Sequence, residues 1–314
     1  MPVRPAHPIY GTMRNRIAPF LPGPLRRKVA PGWTPKPVVA VVRLAGTIGP
    51  SQPLRGGLNL AAIAPALEAA FSMRSVKAVA LLINSPGGSP VQSSLIYKRI
   101  RALAEEKRLP VYAFAEDVAA SGGYMIACAA DEIYADQSSI LGSIGVVSAG
   151  FGFTGLIEKL GVERRVHTAG ESKAMLDPFQ PEKPEEVARL EALQRDVHDY
   201  FKKLVSQARG ERLKNDDPEL FSGAFWAGEG AVARGLADGI ADVRGKMRDL
   251  FGKEVRLKLV TSRGPWWRPS VGGGVDSSRA GGFFARLGAG FAAELGDGLI
   301  AAVERRSLWS RFGL

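Results

Sequence analysis

The chain has 314 residues, of which 46% are hydrophobic and 23% are charged. These values exclude a disordered protein, because a chain of this length and apolar content can bury a sizeable core. One cysteine excludes a disulfide framework and an iron–sulfur centre, and three widely spaced histidines argue against a zinc site. We therefore expect no metal and no cofactor.

The formal net charge of +11 is concentrated near the N-terminus. Residues 1–67 contain nine lysines and arginines and no acidic residue before Glu68, so the remaining residues are nearly neutral. We expect the basic arm to contact an anionic surface such as lipid headgroups, or to remain a solvated tail. A nucleic-acid partner is not expected, because the body of the protein lacks the excess positive charge.

Two uncharged stretches, 78–97 and 137–157, are long enough to cross a bilayer. Both are interrupted by glycines and serines, which is typical of buried strands and tight turns. No apolar run follows the first positive charges, as a secretory signal would require. We therefore expect no transmembrane segment and a cytoplasmic protein, with peripheral contact at the inner face of the membrane through residues 1–37 or 283–314.

Predicted strands and helices alternate along the chain. The predicted strands are 38–44, 77–83, 110–115, 132–135, 162–167 and 254–260. The predicted helices are 60–73, 92–107, 121–130, 184–210 and a short one that ends at Gly235. This alternation predicts an α/β fold with a mainly parallel sheet and flanking helices. The apolar stripe of the 184–210 helix indicates core or subunit contact.

Composition divides the chain into four segments. They are a basic, Pro-rich arm (1–37), a globular domain (38–260), a Gly/Ser-rich linker (261–282) and an amphipathic tail helix (283–314). An amphipathic helix that follows a glycine linker needs a surface to pack on. We expect the body or another subunit to provide it, ahead of a membrane surface.

The strongest candidate for a catalytic nucleophile is Ser121, in the run Ala119-Ala-Ser-Gly-Gly-Tyr124. It lies between a predicted strand and a predicted helix, where small neighbours permit a sharp turn that exposes the hydroxyl. Amides at the start of the helix would face negative charge that forms nearby. The alternative is an ordinary serine N-cap of the helix.

A second glycine-rich turn, Asn84-Ser-Pro-Gly-Gly88, ends a predicted buried strand. Open parallel sheets present their sites at this edge, and consecutive glycines leave a backbone N–H accessible to a substrate oxygen. The turn lacks the lysine and hydroxyl residue of a phosphate-binding loop. A simple connection between a strand and a helix remains the alternative.

A nucleophilic serine needs a base. His198 is expected to face solvent on the long helix, and His167 ends a predicted strand without an acidic partner nearby in sequence. Lys173 lies in a loop of small and apolar residues, where burial would favour the neutral amine, although most loop lysines are solvated. Ser172 ranks below Ser121 as a nucleophile because no helix is predicted to begin there.

Five motifs in this order resemble the SppA/SohB-type serine peptidases, the signal peptide peptidase A family. They are Ile83-Asn-Ser-Pro-Gly-Gly88, Ala119-Ala-Ser-Gly-Gly-Tyr124, Leu141-Gly-Ser-Ile-Gly-Val146, the run 170–179 and Gly235-Leu-Ala-Asp238. The resemblance covers about residues 38–250. It implies a ClpP/crotonase-like fold and a serine endopeptidase that hydrolyses unfolded or signal-peptide-like peptides through a Ser/Lys dyad and an acyl-enzyme.

The resemblance also implies roles for particular residues. Ser121 would be the nucleophile and Lys173 the general base, while Ser143 would orient the lysine. The amides of Gly88 and Gly122 would form the oxyanion hole. Members of the family are homo-oligomers whose sites face an enclosed space that admits extended peptides.

The sequence departs from the family in two respects. Many members have an N-terminal transmembrane anchor, where this chain has the basic arm. The form with two homologous halves is absent, so each chain would supply a whole dyad or share one across an interface. A crotonase-type acyl-CoA hydratase or isomerase using Glu116 and Asp117, and a non-catalytic scaffold of the same fold, are the alternatives. A Ser/His/Asp peptidase like ClpP ranks last, because no histidine occupies the position that family requires.

Overall fold

The computed structural model of the chain describes residues 36–50, 57–214, 216–261 and 306–312. Strands and helices alternate through most of this part. In chain order the elements are β1 (Val38–Ala45), α1 (Leu60–Phe71), β2 (Val76–Ser85), α2 (Pro90–Lys107), β3 (Val111–Ala120), α3 (Gly122–Ala127), β4 (Glu132–Ala135), β5 (Ile140–Gly142), α4 (Thr154–Lys159), α5 (Pro184–Arg209), β6 (Phe225–Ala227), α6 (Gly228–Ala233), β7 (Gly239–Ile240), α7 (Val243–Phe251) and β8 (Arg256–Leu259).

The eight described strands form one sheet in the order β6-β5-β3-β2-β1-β8, and β4 joins β3 to β7. All strand pairs are parallel except β5 with β6. The predicted α/β fold with a mainly parallel sheet and flanking helices is therefore confirmed. The middle of β1, at residues 39–42, is buried on both faces, which explains its continuous run of small and branched apolar residues.

The core has two unequal layers. The larger cluster includes apolar residues of α1, α2, α3 and α5, packed against one face of the sheet. The smaller cluster lies on the opposite face, where Met247 of α7 packs near Val39, Val41 and Phe114. Helices α1, α2 and α3 of this layer each follow a strand of the sheet in the chain, so their first turns lie near the carboxyl ends of the strands.

Local signals explain where the first two helices begin. The Asn59 side chain accepts a hydrogen bond from the Ala62 amide at the start of α1. Pro90 occupies the first turn of α2. Backbone N–H groups have no acceptor within the helix there, so the N–H that proline lacks costs no hydrogen bond. Arg108 ends α2 in the left-handed conformation.

The predicted strand at 162–167 is wrong. These residues have no strand partner in the described part of the chain and lie in an exposed segment (residues 146–183) that contains only the short helix α4. Side chains rather than a ladder hold this segment together: Arg164 pairs with Asp177 at 2.8 Å, and the Phe153 and Phe179 rings lie 5.4 Å apart. The predicted helix at 121–130 is also shorter in the structure, ending at Ala127.

The ends of the chain are described only in part. Of the four predicted segments, almost all of the basic arm (1–37) and of the linker (261–282) lie outside the described residues. Within the predicted tail helix, residues 306–310 are helical and Phe312 packs near Val118 and Ala120 of β3. No helix in the described ranges is both long enough and apolar enough to span a membrane.

Candidate active site

Ser121 lies at the turn between β3 and α3 in a strained backbone conformation, with φ 51° and ψ −122°. A positive φ is uncommon for a residue with a side chain and clusters at functional sites. The turn is held by the Ser121 amide, which donates to the Gly142 carbonyl at 2.8 Å. The Ser121 side chain makes no capping hydrogen bond to α3. The ordinary N-cap interpretation is therefore not supported.

Glycines allow the β2–α2 turn to approach the Ser121 turn closely. A Cβ atom on Gly87 would lie 2.7 Å from the Ser121 Cβ atom. A Cβ on Gly122 would lie 2.3 Å from Ser93 Oγ, and one on Gly123 would lie 2.5 Å from the Ser85 carbonyl oxygen. Since real Cβ atoms do not approach other atoms so closely, these glycines are required by packing.

Gly88 lies in an isolated parallel bridge with Ile48. The Ile48 amide donates to the Gly87 carbonyl at 2.8 Å, and the Ser89 amide donates to the Ile48 carbonyl at 2.8 Å. Gly88 lies between these two hydrogen bonds, and in a parallel bridge the N–H of that middle residue points away from the partner strand. The Gly88 N–H is thus not used in the bridge, as an oxyanion-hole donor requires.

Ser143 follows β5 and also has a positive φ, of 52°. It is 4% exposed, and its amide donates to the Ala224 carbonyl at 2.7 Å. Ser121, Gly88 and Ser143 line a common cavity of about 610 Å³. Gly122 lines a smaller recess beside Ser121. Four of the five predicted site residues therefore lie together at the carboxyl edge of the sheet.

Lys173 is not brought to this cavity by its own chain. It is exposed in the turn at 171–176, within the exposed segment, and its amide donates to the Gly170 carbonyl at 3.2 Å. It does not line the cavity that Ser121 shares with Ser143. Its role as general base remains a prediction.

His198 lies at the cavity, so the expectation that it faces solvent is wrong. It is half-buried on α5, and its Nε2 atom lies 3.1 Å from the Ile144 carbonyl oxygen. It lines the cavity together with Ser121. His167, in contrast, is exposed in the segment 146–183.

Other lining residues were also not expected from the sequence. Ser222 and Gly223 precede β6, and Leu308 and Arg311 belong to the helical turn near the C-terminus. Ser222 and Gly223 lie in no predicted motif, whereas Leu308 and Arg311 belong to the predicted tail helix, which was expected to pack on the body or another subunit.

The carboxylates of the crotonase-type alternative are engaged elsewhere. Glu116 pairs with Arg43 at 2.8 Å, and Asp117 accepts a hydrogen bond from the Asn84 side chain. Neither carboxylate lines the cavity around Ser121. Glu116 and Asp117 therefore do not supply an acid and a base to the cavity around Ser121.

Buried Cys128 on the larger layer is not a rival nucleophile. Burial raises the pKa of its thiol to about 12, so the thiolate is absent near neutral pH.

The model of peptidase family S49 matches residues 103–251. A putative protease of Synechocystis sp. is 33% identical over 218 residues, which cover 66% of this chain and 76% of that protein. The chain belongs to peptidase family S49. A putative signal peptide peptidase SppA of Enterococcus faecium is 35% identical to this S49 member over 188 residues, or 60% of this chain and 54% of that protein.

A protein of Brucella abortus called Na(+)/H(+) antiporter NhaA is 51% identical to this S49 member over 308 residues. The match covers 96% of this chain but 40% of the Brucella protein, so most of that protein has no counterpart here. Its name describes a whole protein of which this chain matches less than half.

Among solved structures, the 1510-N membrane-bound stomatin-specific protease, as a lysine-to-alanine mutant in complex with a substrate peptide, aligns with a TM-score of 0.48 and 15% identity. The alignment covers 73% of this S49 chain and 94% of that one.

Proposed function

We propose that this S49 member is a serine endopeptidase that hydrolyses unfolded or signal-peptide-like peptides through an acyl-enzyme on Ser121. The observation that carries the proposal is the Ser121 turn. The serine is held at positive φ, its hydroxyl does not cap the helix, and it opens onto a cavity flanked by the Gly87–Gly88 turn. Backbone strain of this kind persists only where the surrounding structure enforces it, and it clusters at active sites.

The proposed reaction is acyl transfer. The Ser121 Oγ atom attacks the peptide carbonyl carbon while the neutral amine of Lys173 takes its proton. The N–H groups of Gly88 and Gly122 donate to the oxyanion. The C–N bond then breaks, the leaving amine receives the proton from Lys173, and water hydrolyses the ester.

We propose further that the working enzyme is a homo-oligomer in which a neighbouring copy supplies Lys173. Two observations support this arrangement. Lys173 is exposed and does not line the cavity of its own chain, and it belongs to the same exposed segment as several solvent-exposed apolar side chains. Apolar surface of this kind is typical of subunit contacts.

We also propose that the protein is cytoplasmic and contacts the inner face of a membrane peripherally. The nine basic residues before Glu68 support it. We expect the full chain to co-sediment with vesicles of phosphatidylglycerol and not with vesicles of phosphatidylcholine alone. Equal sedimentation with both would contradict an electrostatic contact.

Hydrolysis of casein and of fluorogenic peptides tests the proposed chemistry. We expect Ser121→Ala and Lys173→Ala each to lower kcat/KM by at least about a thousand-fold, because both groups act as one unit. Ser172→Ala is the matched control in the same turn and should retain wild-type activity, since among the described residues the Ser172 hydroxyl only accepts a long hydrogen bond from Arg189, at 3.4 Å, and has no role in the proposed reaction. Hydrolysis that survives Ser121→Ala would contradict the proposal.

Peptide hydrolysis, together with acyl-CoA hydration and a serine-reactive probe, distinguishes the alternative functions. Loss of activity in Glu116→Gln or Asp117→Asn, with hydration of an acyl-CoA, would favour the crotonase-type enzyme. A scaffold would leave Ser121 unreactive towards a fluorophosphonate probe. Activity that survives Lys173→Ala but is lost in His198→Ala would assign the base to the histidine.

A further inference from the structure

A small recess opens beside Ser121, next to the larger cavity. Its volume is about 20 Å³. Its walls include the side chains of Pro90, Met125, Val146, Val197 and Phe201. Gly88, Ser121 and Gly122 also line it, so the recess is continuous with the nucleophile and with both expected oxyanion donors.

Two walls of the recess belong to helices that are packed in the core. Met125 lies on α3, one turn after the nucleophile, and is 2% exposed. Phe201 lies on α5 and is 3% exposed. Both belong to the larger core cluster, so widening the recess would require repacking a close-packed interior. Val197 precedes Phe201 by about one helical turn and presents a half-buried side chain to the same space.

The size and chemistry of the recess determine what it accepts. A volume of about 20 Å³ holds little more than one water-sized group. The side chains that line it are apolar apart from the Ser121 hydroxyl, and none of the described lining residues is charged. The small volume favours a methyl group over an isobutyl or benzyl group, which would have to extend into the adjoining larger cavity.

The position of the recess identifies the substrate residue that enters it. Ser121, Gly88 and Gly122 would hold the carbonyl carbon under attack and its oxygen. The side chain nearest that carbon belongs to the residue that contributes the carbonyl, because its Cα atom is bonded directly to the carbon. The residue that contributes the leaving amine is one bond further away.

We propose that this recess binds the side chain of the residue on the acyl side of the cleaved bond and selects alanine over larger residues. The inference rests on the proposed peptidase function and names the specificity of that same site. Val146 and Val197 set the size of the recess from two different segments, and neither belongs to the fully buried core.

The experiment compares fluorogenic peptides that differ only at the acyl-side residue, as glycine, alanine, valine, leucine or phenylalanine. For the full chain we expect the highest kcat/KM with alanine, and a preference over leucine and phenylalanine of at least about ten-fold. A preference for leucine or phenylalanine would overturn the proposal.

Two variants widen the recess and one control does not. Val197→Ala and Val146→Ala each remove two methyl groups from the wall and should each raise the leucine-to-alanine ratio of kcat/KM by about five-fold or more, because even one methylene in a pocket alters discrimination on that scale. Val187→Ala makes the same substitution in a half-buried position on the same helix, away from the recess, and should leave the ratio unchanged. Unchanged ratios in both widening variants would overturn the proposal.

If the protein is not a serine peptidase, the experiment gives a different result from a failure of the size selection alone. In that case no peptide of the set is hydrolysed and a fluorophosphonate does not phosphonylate Ser121, which would overturn both proposals. Phosphonylation of Ser121 and hydrolysis with a different order of preference would overturn the size selection alone.

Discussion

Gly87 and Gly46 have nearly the same backbone φ angle, +103° and +104°, but different surroundings. A Cβ atom on Gly87 would lie 2.7 Å from the Ser121 Cβ and 2.9 Å from the Gly122 amide nitrogen, whereas one on Gly46 would meet nothing within 4 Å. Substituting Gly46 therefore measures the cost of the backbone conformation alone, whereas substituting Gly87 adds the cost of close packing against the nucleophile.

We predict that Gly46→Ala lowers the free energy of unfolding by about 1–2 kcal/mol, the cost of a left-handed residue, and keeps most of the activity. Gly87→Ala should cost more and should lower kcat/KM by at least about a hundred-fold, because the added methyl displaces Ser121. Urea denaturation and peptide hydrolysis measure the two quantities. Equal losses of activity in the two variants would contradict this account.

Residue-scale prediction from sequence succeeds where the signal is local. Ser121 and the turn at Gly88 could be selected because small residues and glycines mark both turns within a few positions. The environment of His198 could not be predicted, because its hydrogen-bond partner Ile144 and the cavity are formed by residues far away in the chain.

At the scale of elements, one buried ion pair joins three parts of the fold. Arg209, at the end of α5, is 2% exposed and donates to both carboxylate oxygens of Asp238 at 2.8 and 3.1 Å, and to the Gly235 carbonyl at 2.8 Å. Asp238 also accepts from the Ile133 amide of β4 at 2.6 Å. The pair thereby fixes α5 relative to the sheet, and with it Val197 and His198.

We predict that Arg209→Met lowers the free energy of unfolding by about 3 kcal/mol, because it removes both hydrogen bonds from Arg209 to a largely buried carboxylate and leaves Arg212, at 3.2 Å, as the only cation among the described residues that contacts it. Lys202→Met removes the partner of Asp199 on the exposed side of the same helix and should cost less than about 1 kcal/mol. Denaturant unfolding of both variants measures the difference. Similar losses of unfolding free energy in the two variants would show that the buried ion pair does not stabilise the packing of α5 on the sheet.

The pH dependence of this pair gives a second test. Burial by itself would raise the pKa of Asp238, but hydrogen bonds from Arg209 and the Ile133 amide outweigh it and lower the pKa below its ordinary value of 3.8. A lowered carboxyl pKa stabilises the fold above the unfolded-state value, and this contribution is lost as the pH falls through the folded-state value. The stability gap between wild type and Arg209→Met should therefore narrow below about pH 4.

The short strands β5 and β6, which the sequence did not indicate, depend on pairing between distant segments. β5 has three residues and forms an antiparallel pair with β6, which follows only after α5. β3 continues past Ala115 because its last residues pair with β5 after its first residues pair with β4. Long, periodic elements such as α5 were predicted well, since their signal lies within the element itself.

At the scale of the whole molecule, the exposed segment presents apolar side chains that the described chain does not cover. Val147, Phe151, Leu156, Leu160 and Val162 are each more than half exposed. Burial of such side chains contributes about 1.5–3 kcal/mol each, which favours a second copy as the covering surface. Lys173 lies on this segment, so contact between copies would also bring it near another copy's cavity.

We predict that two inactive variants restore activity to each other. In mixed oligomers co-expressed from Ser121→Ala and Lys173→Ala chains, about a quarter of the shared sites receive both a serine and a lysine. We therefore expect peptide hydrolysis at about a quarter of the wild-type rate. Replacing the second chain by the double variant Ser121→Ala/Lys173→Ala should give none.

A surface substitution connects this recovery to the exposed segment. Leu160→Lys in both chains places a charge within the apolar surface and should abolish the recovery and reduce the mass measured by sedimentation, because an interface does not bury an unpaired charge without cost. Leu250→Lys alters an exposed leucine of α7 instead and should change neither. Mixed oligomers that form at wild-type mass but show no hydrolysis would place Lys173 beside Ser121 of its own chain, and would contradict a dyad shared between copies.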